Sequence, residues 1–224
     1  MKLLRRASST VDGDRSVQRN RVAWQCASLL LAYPDAGRNG RMDTVDGLLG
    51  HLPGQLREQL GGAALRLRQL PQVEAETAYV DTFDLHCRTT LLLTYWTEGD
   101  TRNRGEAMLR FSRVYRDAGV EPPTAESSDH LAVLLEFAAT VDPGTGGRLL
   151  AEHRPAIDLL QQRLATLGSP YAPVLDAVAA TLPPATDQDV ARARRLAAAG
   201  PPAEAVGLQP FTLTVPPRRT EGAH

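Results

Sequence analysis

Lysine is almost missing from this chain. Among 25 basic residues Lys2 is the only one, and the others are arginines. A phosphate-binding loop ending in GK[ST] is thereby excluded. Cysteine is nearly as scarce, with Cys26 and Cys87 alone and no CxxC spacing, which excludes a disulfide framework and a paired-cysteine metal site. A reduced, cytoplasmic setting is the expectation that follows. No apolar run approaches the ~20 residues of a membrane span. The stretch Met1–Ser8 is basic without an apolar segment after it, so no secretory signal is expected either. An excess of one charge sign is also lacking. The net charge is −1, so no global field favours nucleic acid or an anionic membrane. The arginine excess itself fits a GC-rich coding bias.

Catalytic signatures are absent as well: there is no GxSxG and no HExxH. Gly144-Thr145-Gly146-Gly147 partly matches a dinucleotide fingerprint, but Leu149 stands at the third glycine and no strand precedes it. Asp81, Asp84 and His86 do not share one helix face, which argues against a metal or acid–base site built from that trio. Neither an enzyme, a resident cofactor nor a metal is expected. Strand patterns are missing except at Phe211–Val215, and no internal repeat announces a solenoid.

What remains is helical. At 224 residues, 42% hydrophobic and 23% charged, the chain can bury a core as one soluble, all-α domain. Apolar spacing of three and four predicts helices over Arg19–Tyr33, Met42–Leu52 and Gln55–Leu70, with Pro71 opening the next. Trp24 is expected in the core. Ser127 or Ser128 should cap a helix beginning at Asp129-His130, and its run Leu131–Ala139 is apolar almost all round. Glu136, its only charge, must reach the surface or find a partner. Residues 142–147 read as a turn. Helices follow over Arg148–Leu167, with Pro155 as a kink or restart, then Tyr171–Leu182 and Thr186–Ala199. The expected organisation is an unstructured segment 1–15, a helical bundle 16–199 and a mobile, proline-rich tail 200–224.

The chain is organised around Tyr79–Phe111, YVDTFDLHCRTTLLLTYWTEGDTRNRGEAMLRF. The spacing predicts one helix from Tyr79 to about Trp96, a turn at Gly99-Asp100, and a second helix from Arg102 to Ala118 with Gly119 as its C-cap. Two helices so joined lie side by side, with aromatics and charges along the ridge. Such an edge suits recognition better than catalysis.

This stretch, continued as SRVYRDAG, resembles the signature region of the NarJ-type, delta-subunit family of nitrate reductase molybdenum-cofactor assembly chaperones. SSDHLAVLLEFAA resembles the Asp-His element shared with TorD/DmsD-like redox-enzyme maturation chaperones. PYAPVLDAVAATLP and PPAEAVGLQPF are similar to the C-terminal pattern of actinobacterial members. The resemblance implies an all-helical, TorD-like chaperone, expected as a monomer, that is not an enzyme. Its implied partner is the N-terminal peptide of the apo catalytic (alpha) subunit of respiratory nitrate reductase, held competent for molybdenum cofactor and iron–sulfur insertion. The implied peptide-binding residues are Tyr79, Phe83, Asp84, Arg88, Tyr95, Trp96, Gly99, Asp100, Arg102, Arg104, Asp129, His130 and Glu136. Cys87 departs from the family pattern and is left out of the site. An apolar groove with charged rims would suit an amphipathic client helix. The alternatives from the residues are a helical interaction scaffold or a regulator that binds nucleotide, with a small hydrolase unsupported by any nucleophile–base pairing; within the resemblance the alternative is a chaperone for another molybdoenzyme.

Overall fold

Leu131 and its neighbours explain the architecture best, because the helix they open has a buried side in nearly every direction. The computed structural model describes residues 5–85, 88–99 and 101–200. Eleven α-helices and one π turn make up its regular structure among these residues, and no named strand is present. In chain order they are α1 (Arg5–Leu31), α2 (Arg38–Leu49), α3 (Gly54–Arg68), α4 (Gln72–Tyr79), the π turn Val80–Asp84, α5 (Leu93–Glu98) and α6 (Arg102–Asp117). Then come α7 (Leu131–Thr140), α8 (Pro143–Glu152), α9 (Arg154–Thr166), α10 (Ala172–Thr181) and α11 (Asp187–Ala199). No described helix is long and apolar enough to cross a membrane.

The core forms where α1 lies along α7, flanked by α8 and α10, with α3 closing against α10. Cys26, Ala27 and Leu31 of α1 meet Leu131, Leu134 and Leu135 of α7 within one cluster that no solvent reaches. The apolar faces expected of both helices are therefore those the fold buries. Burial also pushes the Cys26 thiol up to about 12, which leaves it an inert core residue. Trp24 is buried as expected, and its Nε1–H donates to Thr181 Oγ1 at 2.8 Å, tying α1 to the end of α10. Glu136 takes the surface option.

Four elements differ from the sequence expectation. Helix α1 starts at Arg5 rather than Arg19 and so enters the segment expected to lack structure. No proline interrupts it, and its described side chains before Arg19 mostly face solvent, so no apolar period could reveal them. Residues 143–152 form α8 rather than a turn. Asp142 caps it by accepting from the Thr145 N–H at 2.9 Å, and Pro143 sits in the first turn, where its missing N–H costs nothing. Gly146 lets α8 approach α7: a Cβ there would lie 2.4 Å from the Ala138 Cβ. The glycines that suggested a loop thus serve a close helix crossing.

The third difference is the largest. The helix expected across Tyr79–Trp96 ends after the π turn, which Leu85 closes by donating its N–H to the Val80 carbonyl at 3.0 Å. Residues 89–91 are irregular, and extended Leu92 forms an isolated antiparallel bridge with His130. Leu93 N–H donates to the Asp129 carbonyl at 3.1 Å, and Leu131 N–H to the Leu91 carbonyl at 2.9 Å. Long-range backbone pairing has overridden the helical period here, aided by the β-branched pair Thr89-Thr90. The fourth difference is the cap of α7. His130, not Ser127 or Ser128, caps it, with Nδ1 accepting from the Ala132 N–H at 3.3 Å.

Several expectations hold. Helix α6 begins at Arg102 and ends beside Gly119, whose φ of 82° lies in the left-handed region that favours glycine. Pro155 restarts the chain as α9, α10 follows the tyrosine at 171, and α11 carries a full capping box between Thr186 and Asp189. The expected tail lies outside the described residues beyond Gly200.

Candidate functional site

Breaking the helix at residue 85 opens a cleft of about 600 Å³ between the π turn, the irregular 90–92 segment, the start of α6 and the loop before α7. Its floor is aromatic. Tyr79 packs edge-on to Tyr33 with centroids 5.3 Å apart and tilts against Phe83 at 4.9 Å; Phe83 in turn meets Tyr171 at 4.8 Å. Tyr79 and Phe83 are also core residues, and the Tyr79 hydroxyl donates to the Leu31 carbonyl at 3.1 Å. Burial raises the Tyr79 phenol well above its usual range, so it stays protonated. The two readings of these rings, core and groove, coincide: each ring packs inward and shows an edge to the cleft.

Two carboxylates, Asp84 and Glu126, stand at the wall. Burial raises both, and Asp84 raises Glu126 further by like charge. Among the described residues neither has a hydrogen-bond donor or an ion-pair partner within reach. Opposite lies Arg104, whose Nε–H donates to Thr94 Oγ1 at 3.3 Å and whose guanidinium sits 5.9 Å from the Tyr95 ring centroid. His130 completes the lining. Because its Nδ1 accepts from a backbone N–H, the ring proton resides on Nε2, and burial holds its pKa down at about 4 against a smaller opposing pull from Asp129. It is thus a neutral donor.

Of the thirteen residues expected to bind peptide, the cleft gathers Tyr79, Phe83, Asp84, Tyr95, Arg104 and His130. The rest lie elsewhere. Trp96 is buried against Ala156 and Leu159 of α9, and its Nε1–H donates to the Thr90 carbonyl at 3.1 Å. Gly99 takes a φ of 66° to end α5. Arg88 and Arg102 are exposed outside the cleft, and Glu136 lines a separate groove beside Tyr115 and Phe137. Asp100 falls outside the described residues.

Asp129 is fully buried and presents nothing outward. One carboxylate oxygen accepts from the Thr94 N–H at 3.0 Å and the Thr94 hydroxyl at 2.5 Å; the other accepts from the Ser127 hydroxyl. It therefore caps α5 from 35 residues away in sequence. That fixes the Leu91–Leu93 backbone against which His130 is set.

Sequence reasoning missed Tyr33, Leu85, Thr90, Leu92 and Glu126 in the lining. Tyr33 closes the helix expected over Arg19–Tyr33, which was the available signal, and lies two residues beyond the end of α1. Glu126 stands three residues before Asp129 in a loop with no periodicity, and nothing local marked it. Among the described residues no group of three or more His, Cys, Asp or Glu side chains could hold a metal ion.

Residues 49–177 match the family described as nitrate reductase delta subunit. The chain is 30% identical over 165 residues to the nitrate reductase molybdenum cofactor assembly chaperone NarJ of Escherichia coli K12, covering 72% of this chain and 70% of that one. It is 26% identical over 170 residues to the probable NarJ chaperone of Bacillus subtilis, covering 72% and 88%. It is also 49% identical over 160 residues to the nitrate reductase-like protein NarX of Mycobacterium tuberculosis. That match takes in 71% of this chain but spans only 24% of NarX. The cleft-forming segments Tyr79–Arg104 and Glu126–His130 fall inside the family match, and with more than half the chain so covered the protein belongs to the nitrate reductase delta subunit family.

Proposed function

We propose that this protein is a maturation chaperone whose cleft binds the N-terminal segment of the apo catalytic subunit of respiratory nitrate reductase. Binding keeps that subunit competent for insertion of the molybdenum cofactor and an iron–sulfur cluster before membrane assembly. The names of the NarJ relatives support the general role. One observation supports the finer reading: a single cleft joins an aromatic floor, two carboxylates without donors among the described residues, and a neutral imidazole donor. An amphipathic peptide with one basic side chain satisfies all three at once. Its apolar face covers Tyr79 and Phe83, its cation neutralises Asp84 and Glu126, and a carbonyl meets His130.

Calorimetric titration with a synthetic N-terminal peptide of that subunit tests the reading. Saturable binding to the full chain is expected, weakened about tenfold or more when Asp84→Asn and Glu126→Gln are combined, the loss of one charge-assisted contact. No binding, or binding indifferent to both substitutions, would remove the cleft from the account.

A further inference from the structure

One charged group of the cleft, Arg104, has no counterpart in the proposed complex. Its Nε–H donates to Thr94 Oγ1, and the Thr94 hydroxyl is itself fully buried and gives its hydrogen to Asp129 at 2.5 Å. The Tyr95 ring holds the guanidinium from a second side, at 5.9 Å. An arginine carries five N–H donors, so those on the two Nη atoms remain. Among the described residues no carboxylate forms an ion pair with them, although Asp84 and Glu126 line the same cleft. The cleft's opposite charges are thus held apart rather than paired with each other. Arg104 also lies in the first turn of α6, which has no acidic residue and no side-chain cap. That end of a helix dipole disfavours a cation and favours an anion beside it.

We infer that Arg104 is a carboxylate-binding subsite, and that the client segment fills it with an acidic side chain while its basic side chain meets Asp84 and Glu126. A peptide lying over the Tyr79–Phe83 floor shields Arg104 from water as it shields the two carboxylates. A guanidinium so covered loses stability unless acceptors replace the water. A peptide carbonyl accepts from it singly and leaves the charge. A carboxylate takes the planar fork in two parallel bonds and neutralises it. The Thr94 and Tyr95 contacts orient the fork before the ligand arrives, which lowers the ordering cost of binding. The cleft therefore selects a segment bearing charges of both signs, and a purely basic amphipathic peptide fills it less well. The identity of the ligand rests on the client reading above; the carboxylate subsite itself does not.

Magnetic resonance on the full chain, isotope-labelled at arginine nitrogen, tests the subsite without the client. The Arg104 Nε–H resonance, identified by its loss in Arg104→Lys, is followed as N-acetyl-phenylalanine is added. This probe offers one ring to the floor and one carboxylate to the guanidinium. A saturable shift at millimolar concentration is expected, and the amide of the same probe should give none. Equal shifts from both, or none from either, would overturn the subsite. A second arm titrates the client peptide calorimetrically, amidated at its C-terminus so that side chains hold its only carboxylates. Replacing one acidic residue by its amide should weaken binding to the wild type about fivefold, the size of a partly exposed ion pair, and leave binding to Arg104→Gln unchanged. Arg104→Lys keeps the charge without the fork and should recover only part of the affinity. Thermal melts of both variants exclude unfolding as the cause. A peptide with no acidic residue, or amide replacements that cost as much against Arg104→Gln as against the wild type, would overturn the pairing with the client. If the client peptide fails to bind the wild type while the resonance answers to the carboxylate probe alone, the client reading fails and the subsite stands.

Discussion

Asp129 and Asp84 are both carboxylates near the irregular 90–92 segment, and they meet opposite fates. Asp129 is fully buried and takes the Thr94 N–H, the Thr94 hydroxyl and the Ser127 hydroxyl. Asp84 stands at the cleft wall, is raised by burial, and meets no donor among the described residues. The difference separates structure from recognition more sharply than burial alone does. A buried charge whose acceptor positions are filled holds the fold together, whereas a largely exposed one with no protein donor is available to a ligand. The two are linked through His130, which follows Asp129 in the chain and faces the cleft.

The first way to break this contrast is to remove Asp129. Asp129→Ala strands the Thr94 N–H and hydroxyl in a buried site and uncaps α5, so a loss of about 3 to 5 kcal/mol in urea unfolding is expected. Asp129→Asn should recover part of it. A loss near 1 kcal/mol would reduce Asp129 to an ordinary helix cap.

His130 gives the next largest effect, and its sign is fixed. Burial puts its folded pKa at about 4, below the unfolded value near 6.5, so the unfolded chain binds more protons between these limits. The neutral ring's contribution is therefore complete above pH 6.5 and is lost as pH falls towards 4, on the order of 3 kcal/mol. His153, lowered by the same cause, adds to the slope, while Asp84 and Glu126 oppose it. His130→Asn retains a good capping side chain, and its stability measured across this range should fall less steeply than the wild type's. Equal slopes would refute the buried, neutral ring.

Gly146→Ala probes the core on the far side of α7. The added methyl would press on Ala138 backbone as well as side chain, at 2.4 to 3.0 Å. Overpacking should outweigh the gain in helix propensity, for a net loss of about 2 kcal/mol in thermal melts. An unchanged melt would show that α7 and α8 can slide apart.

These sites show what the sequence could and could not disclose. Faces that pack helix on helix were legible, at Ala23–Leu31 because burial imposes a 3.6-residue period and at Leu131–Ala139 because a helix apolar almost all round must be buried. Tyr79, Phe83 and Asp84 could be named through the resemblance and their spacing. The break that exposes them could not, because its cause is the pairing of Leu91–Leu93 with Asp129–Leu131, a contact between distant segments. Trp96 misled for the same reason. Past the break the helical register restarts, and its indole turns to α9 rather than to the cleft.

The smallest effect sharpens the contrast furthest, because it should carry the opposite sign. Asp84 and Glu126 have folded pKa values above their unfolded ones. Around neutral pH both are charged, partly desolvated and mutually repelling, so they oppose folding. That penalty lifts as pH falls through the raised folded values towards the ordinary carboxylate range. Asp84→Asn with Glu126→Gln should therefore stabilise the empty protein at pH 7. Both side chains are largely open to solvent, which limits the gain to a fraction of 1 kcal/mol, about 1 °C in the melting midpoint. The gain should vanish as the pH approaches 4. The same pair of changes is expected to weaken peptide binding, and a variant more stable yet poorer at binding is what a recognition site kept at the fold's expense produces. A drop in stability at pH 7 would instead mean that the two carboxylates already hold the loop before α7 in place, as Asp129 holds α5.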